Sequence, residues 1–184
     1  MAKWKEKKLR LKDRHGWKSK PGYGICVLDR GAIRFDYPAD WNVSADEDSL
    51  KVRDRPEPDD NCVLAVSHMH LPAEPADRVP LRQLVQVSVD NDERGVLETK
   101  DIVEVAREDG VEIAWGEVRF MDPKEKREAL GRICIARGSG VYCLITFDFW
   151  KDEAGKYEHV WKEVLRSLTL GLYIKDPTVG PVIQ

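Results

Sequence analysis

A chain of 184 residues is long enough for one hydrophobic core with short extensions, and its 42% hydrophobic and 34% charged residues exclude a disordered or collagen-like protein. No apolar run reaches the roughly 18 residues that a membrane-spanning helix needs, and the N-terminus lacks the apolar segment of a secretory signal. These features predict a cytoplasmic protein without a membrane span and leave its oligomeric state open.

The first 20 residues are cationic in a chain whose net charge is −3. They hold nine basic and two acidic residues, which gives +7 and leaves −10 for the remainder. A proline-glycine pair then marks a turn, so residues 1–22 are predicted to form a basic N-terminal arm. The arm either faces water and packs partly through its tryptophans, or attaches to nucleic acid or another anionic surface, with Trp4 and Trp17 stacking on bases.

Two apolar stretches after the arm predict a β-hairpin. The strands "ICVL" and "AIRFDY" flank a turn at residues 29–31, and Phe35 and Tyr37 alternate onto one face of the second strand. Pro38 lacks the N–H that a sheet ladder needs, so it ends this strand. The chain is then expected to turn and to fold Trp41 back over the aromatic face.

A second hairpin and a helix are predicted next. The strands are "SLKVRDR" (49–55) and "NCVLAVSHMHL" (61–71), joined by the turn-rich segment "PEPDDN". Residues 81–92 repeat apolar and small residues at helical spacing. Because the valines of this segment also alternate, a strand is the competing interpretation.

Four apolar stretches with tight turns between them predict an antiparallel meander. The stretches are residues 97–108, 111–121, 128–137 and 141–150. Centring the last turn on Ser139 sets Ile135 opposite Cys143 and directs Cys134 to the other face, out of reach of Cys143.

The segment 156–170 has the clearest helical pattern of the chain. Its apolar residues recur at spacings of three and four: Tyr157, Val160, Trp161, Val164, Leu165 and Leu168. Four polar residues are predicted on the opposite, solvent-facing side: His159, Lys162, Glu163 and Arg166.

The strand ending in "FDYPADW", the antiparallel meander and the late helix ending in "EVLRSLTL" together resemble the PsbP/DcrB-like superfamily, which also includes a yeast regulator that binds the small GTPase Ran. The resemblance covers residues 23–172 and leaves 173–184 as a C-terminal tail. It implies an α+β fold, an α/β/α sandwich whose central antiparallel sheet is flanked by helices. Family members commonly carry glycine where this chain has Asp40, and aspartate is among the residues that tolerate a left-handed backbone there.

The resemblance implies a non-catalytic binding or adaptor domain that needs no cofactor and contacts a protein partner. The sequence agrees, because it contains neither a nucleophile-elbow motif nor a glycine-rich phosphate-binding loop. The tryptophans Trp41, Trp115 and Trp150 are candidate contact residues, together with Trp4 and Trp17 of the arm. Four dispersed acids would form a catalytic dyad only if the fold brought two of them together: Asp36, Asp40, Asp148 and Asp152.

His68 and His70 carry the alternative hypothesis of a metal-dependent enzyme. They lie two residues apart on a predicted strand, so both imidazoles project from the same face and could bind one metal ion. A metal site needs at least a third ligand, and Cys62 lies about 20 Å away along the strand. The four cysteines show no CxxC spacing, which argues against a cysteine zinc site.

Overall fold

The computed structural model describes residues 5–70 and 79–181. The first six strands are β1 (Tyr23–Leu28), β2 (Ile33–Pro38), β3 (Asn42–Ala45), β4 (Leu50–Arg53), β5 (Cys62–His70) and β6 (Val96–Thr99). The remaining strands are β7 (Val103–Ala106), β8 (Glu112–Asp122), β9 (Arg127–Gly138), β10 (Val141–Trp150) and β11 (Thr169–Leu170). The helices are α1 (Leu81–Asp90) and α2 (Ala154–Ser167), and single 3₁₀ turns occupy Asp29–Gly31 and Lys151–Glu153. Trp4 of the predicted arm and Leu71 at the end of the predicted strand 61–71 lie outside the described residues.

The strands of the described chain form two antiparallel sheets. The small sheet has the order β1-β2-β11. The large sheet has the order β3-β4-β5-β10-β9-β8-β6, and β7 also pairs with β8. Both predicted hairpins are present, since β1 pairs with β2 and β4 pairs with β5.

The helices cover different parts of the sheets. The helix α1 packs against β8 and β9, whereas α2 packs against β2 and β10. Along β9, Ile133 belongs to the apolar cluster of α1, and the next residue, Cys134, belongs to that of α2. Successive side chains of a strand point to opposite faces, so both faces of β9 are buried. The α+β class is confirmed. Neither described helix is long and apolar enough to cross a bilayer.

The helix prediction for residues 81–92 is confirmed, and the competing strand interpretation is wrong. Leu81, Val85 and Val89 are buried, whereas half of Val87 is exposed. A helix buries one stripe of the segment, while a strand would have put all three valines on one side.

The predicted register of β9 and β10 is wrong by one residue. Cys143 lies opposite Ala136, and Ile145 lies opposite Cys134. The cause is a two-residue turn, in which Ser139 and Gly140 both adopt positive φ. A one-residue shift exchanges the faces of a strand, so Cys134 shares a face with Cys143.

The stretch 97–108 is predicted to form one strand, but the structure divides it into two, β6 and β7, which both pair with β8.

Glu163 of α2 is predicted to face solvent, yet it is buried and accepts a hydrogen bond from Arg166. Glu163 is buried because β2 packs against this side of α2. The buried Asp36 belongs to the same strand.

The strand β2 ends at Pro38, and a tight turn follows. The Trp41 N–H donates to the Pro38 carbonyl over 3.0 Å. The Trp41 ring is half-buried and contacts Phe147 and Tyr157, at centroid distances of 6.3 and 6.1 Å. Asp40 is not among the described residues with positive φ, so this corner does not use the left-handed backbone expected there.

Candidate functional site

The turn between β1 and β2 has an unusual backbone. Asp29, Arg30 and Gly31 have φ values of 41°, 53° and 104°. A side chain at Gly31 would place its Cβ 1.6 Å from the Leu172 carbonyl oxygen, so only glycine allows this approach. The Ile174 N–H donates to the Arg30 carbonyl over 2.7 Å. The turn is therefore fastened to the segment that follows β11, and this contact fixes the backbone that carries Asp29.

The end of β5 supplies two histidines to the same place. The strand β4 pairs with β5 only as far as Val66, whereas β10 continues to pair and sets Cys143 opposite His68. His68 and His70 share a face because side chains alternate along a strand. Only 9% of the His68 side chain is exposed, against 62% of His70.

Asp29, His68 and His70 form a compact cluster. Oδ2 of Asp29 lies 3.3 Å from Nε2 of His68 and 2.9 Å from Nε2 of His70. The two imidazole rings are nearly perpendicular, with centroids 5.4 Å apart. Hydrogen bonds from His70 and His68 hold the pKa of Asp29 below its usual range. One carboxylate oxygen and two imidazole nitrogens are thus positioned to share a cation.

Two of the candidate contact tryptophans pack against side chains of the α2 core. Trp41 contacts Phe147 and Tyr157. Trp115 is half-buried and lies edge-on to Trp161, with a centroid distance of 5.6 Å. These indoles contribute to packing, and only their exposed parts are available to a partner.

Trp150 lies beside a small cavity of about 270 Å³ on the other face of β10. The Arg127 guanidinium stacks over its ring at 4.8 Å. Across the cavity, Arg94 stacks on Phe120 at 4.1 Å and pairs with Asp148 at 2.7 Å. Burial raises the pKa of Asp148, while Arg94 opposes that shift.

Three of the four dispersed acids of the sequence pair with arginines in the described chain, and the fourth, Asp40, is exposed. Asp36 pairs with Arg34 at 2.6 Å, Asp148 pairs with Arg94, and Asp152 pairs with Arg127 at 2.7 Å. Burial raises the pKa of Asp36 and of Asp148 although their arginines oppose the shift, whereas the hydrogen bond from Arg127 lowers the pKa of Asp152. The buried thiols are poor nucleophiles, because burial raises the pKa of Cys26, Cys62, Cys134 and Cys143.

The arm lies against the C-terminal segment. Trp17 is buried, and its indole N–H donates to the Pro177 carbonyl over 2.7 Å. Lys12 pairs with Asp176 at 2.8 Å, and its backbone N–H donates to the Thr178 carbonyl. These contacts leave most of the basic side chains of the arm pointing into solvent.

A cavity of about 860 Å³, here called the arm groove, lies between the arm, the β1–β2 hairpin and the segment after β11. Its cationic lining residues are Lys5, Lys7, Lys8, Arg30 and Lys175, and the acidic lining residue among the described ones is Glu6. The apolar lining includes Leu9, Leu11 and Tyr173, and 75% of Tyr173 is exposed. The groove is therefore positively charged and partly apolar.

Comparison with known proteins identifies relatives over nearly the whole chain. The family model Alr1449 matches residues 24–174. The protein alr1449 of Nostoc sp. (strain PCC 7120) is 45% identical over 178 residues, which cover 96% of this chain and 92% of that relative. This chain belongs to the Alr1449 family. The family match contains the Asp29 turn and both histidines of the cluster.

Solved structures place this Alr1449 family member in the PsbP/DcrB-like fold. Cyanobacterial PsbP (CyanoP) of Synechocystis sp. PCC 6803 aligns with a TM-score of 0.60 and 14% identity, over 84% of this chain and 96% of that one. The Ran-binding protein Mog1p of Saccharomyces cerevisiae aligns with a TM-score of 0.56 and 13% identity, over 80% and 95%. The likeness of this chain to PsbP and Mog1p in fold is confirmed. At these identities the likeness concerns the fold alone.

In this Alr1449 family member, Asp29 completes the histidine cluster, and the sequence does not predict it as part of a site. The spacing of His68 and His70 identifies a pair on one strand, but their partner comes from a turn 39 residues earlier in the chain. The sequence does contain one local signal. The segment Asp29-Arg30-Gly31 is typical of a turn, and aspartate tolerates the left-handed backbone that Asp29 adopts there. Nothing local indicates that the turn faces the end of β5.

Proposed function

We propose that this chain is a non-catalytic binding domain that holds an acidic segment of a protein partner in the arm groove. The observation that carries this proposal is the excess of cations around the groove, where five basic residues stand against one acidic residue in the described lining. Residues 21–184 carry a net charge of −10, so the cationic groove differs in charge from most of the protein. An acidic partner segment would be steered toward this site.

The apolar part of the groove supports a protein partner over a simple anion. Leu9, Leu11 and Tyr173 are all more than one third exposed, and a partner that covers them gains hydrophobic free energy. Tyrosine is also frequent among the residues that dominate protein interfaces. The partner segment is expected to combine acidic residues with leucine-like or aromatic side chains.

The fold supports the same class of function. The structural neighbour Mog1p is named as a Ran-binding protein, which is a protein-binding role. The burial of all four cysteines also favours binding over nucleophilic catalysis. We further propose that the helices and the large sheet form an α/β/α sandwich, that residues 1–22 are an arm attached to it, and that the domain acts in the cytoplasm.

Site-specific crosslinking in cells tests the proposal. A photoreactive amino acid is introduced at Tyr173 in the groove, and at Val87 on the exposed side of α1 as a control. We expect a discrete protein adduct from position 173 and none of that mass from position 87. The partner is identified by mass spectrometry, and its acidic segment is synthesised for binding measurements.

A charge-reversal pair then measures the contribution of the groove. The double variant Lys7→Glu/Lys8→Glu is expected to weaken binding of the acidic segment at least about 10-fold at physiological salt. The matched control is Lys124→Glu/Lys162→Glu, which changes the same charge on exposed residues away from the groove. Equal weakening in both variants would show a general charge effect and would reject the groove as the site.

The arm as an attachment site for nucleic acid is the alternative outcome of the same experiment. An adduct at position 173 that disappears after nuclease treatment would assign the groove to nucleic acid. Binding would then fall with salt according to the number of phosphates contacted, and without regard to sequence.

A further inference from the structure

The two distances from the Asp29 carboxylate to the His68 and His70 nitrogens match the ligand spacing of a metal coordination sphere. Zinc binds imidazole nitrogen at about 2.0 to 2.1 Å and carboxylate oxygen at about 2.0 to 2.2 Å. Neighbouring ligand atoms on such a sphere, in tetrahedral or octahedral geometry, are then about 2.9 to 3.4 Å apart. The Oδ2 atom of Asp29 lies 2.9 and 3.3 Å from the two Nε2 atoms.

We propose that Asp29, His68 and His70 bind one Zn²⁺ ion, which ties the turn after β1 to the end of β5. Two imidazoles and one carboxylate are a ligand set that zinc accepts, with water in the fourth position. The ion would join the small sheet to the large sheet, because Asp29 follows a strand of the former and the histidines belong to the latter. None of its three ligands lines the arm groove, although the neighbouring Arg30 does, and metal binding does not depend on the proposed function.

The exposure of the three side chains suits an ion that enters from solvent. More than half of Asp29 and of His70 is exposed, whereas His68 is nearly buried. One ligand is therefore held firmly by its surroundings, and the other two border the solvent from which the ion and its water ligand come. A site with three protein ligands leaves a coordination position open.

The backbone at Asp29 indicates that its position is imposed by the fold. A non-glycine residue with positive φ is uncommon, and here Asp29 and Arg30 both adopt it in succession. Such strain persists only where the surroundings determine it, and it is concentrated at ligand sites. The contacts of Gly31 with Leu172 and of Arg30 with Ile174 hold the backbone of the turn in this conformation.

Metal binding is tested on tag-free protein that has been stripped with chelator and dialysed. Calorimetric titration with Zn²⁺ is expected to give one ion per chain. At a Zn²⁺ concentration 100 times the Kd, the melting midpoint is expected to rise by about 5 °C or more. Co²⁺ substitution is expected to give visible d–d absorption bands, which report directly on the ligands.

Two substitutions that leave the fold in place identify the ligands. Asp29→Asn keeps the side-chain size and suits the left-handed backbone, and His70→Ala changes a side chain that is 62% exposed. Both are expected to weaken Zn²⁺ binding at least about 100-fold and to abolish the Co²⁺ bands, with an unchanged far-ultraviolet circular dichroism spectrum. The control His159→Ala removes an exposed histidine of α2 and should leave binding unchanged.

Either of two results would overturn the proposal. The absence of stoichiometric Zn²⁺ binding in the chelator-stripped wild-type chain would mean that hydrogen bonds alone hold the cluster together. Zn²⁺ binding that survives in both Asp29→Asn and His70→Ala would place the ion elsewhere. Neither result would affect the crosslinking outcome at Tyr173, so the two proposals fail separately.

Discussion

The two ends of the β1–β2 hairpin are held in place by opposite means. At the turn between the strands, polar Asp29 sits on a strained backbone and faces two histidines of another sheet. After β2, the chain leaves through Pro38 and Trp41, and the Trp41 ring packs on Phe147. One end is fixed by backbone contacts and polar side chains, and the other by aromatic packing.

The difference shows which end is available for chemistry. At the Trp41 corner, the indole contributes mainly packing against Phe147 and Tyr157. At the other end, the close approach of Gly31 to Leu172 restricts the backbone of the turn. This turn places the Asp29 carboxylate beside the two imidazoles. The hairpin thus joins a structural anchor to a candidate ligand site, and each end can be disrupted without the other.

The largest expected effect is that of Trp41→Ala, which tests the anchor. Removing a half-buried indole leaves a cavity against Phe147 and Tyr157, and should lower the free energy of unfolding by about 3 kcal/mol. For a chain of this size, the melting midpoint should fall by about 6 °C or more. The control is Tyr173→Ala, which removes an exposed aromatic and should change the midpoint little. An unchanged midpoint in Trp41→Ala would mean that this corner does not stabilise the fold.

A smaller loss is expected for Gly31→Ala, which tests the polar end. The new Cβ would collide with the Leu172 carbonyl and would sit at positive φ, so the turn must move at a cost of about 2 kcal/mol. The same movement should displace Asp29, and the Zn²⁺-induced rise of the melting midpoint should shrink. The control Gly110→Ala also has positive φ but has open space around its Cβ. Equal destabilisation in both variants would show that the positive φ alone, without the collision, accounts for the loss.

The two ends also differ in how far the sequence predicts them. The corner follows from local chemistry, because Pro38 cannot continue a ladder and an indole seeks an apolar surface. The helix α2 is predictable for the same reason, from its apolar spacing. The site at the other end depends on a contact between Asp29 and His70, which are 41 residues apart, and no local pattern encodes it.

The incorrect predictions for the β9–β10 register and for Glu163 also have specific structural causes. The register of β9 and β10 depends on whether the turn has two or three residues, and "GSG" allows both until Ser139 is seen to adopt positive φ. Burial of Glu163 depends on β2 crossing the polar side of α2, which is a long-range contact. The apolar periodicity of α2 predicts which side chains share a face, but it does not predict that a strand packs against the charged face.

The smallest expected effect concerns the arm, which is held partly by charge, unlike the Trp41 corner. Hydrogen bonds from Lys12 and Thr178 lower the pKa of Asp176 from 3.8 to about 2. A depressed pKa means that this stabilisation is present above pH 3.8 and is lost as the pH falls toward 2. Between those values, limited proteolysis with pepsin should cut the arm near Trp17 before the core unfolds. Asp176→Asn should permit the same cut at pH 4, whereas Asp109→Asn, a control at another exposed turn, should not. Protection of the arm that is equal in wild type and Asp176→Asn across this range would show that Trp17 packing, and not charge, holds it.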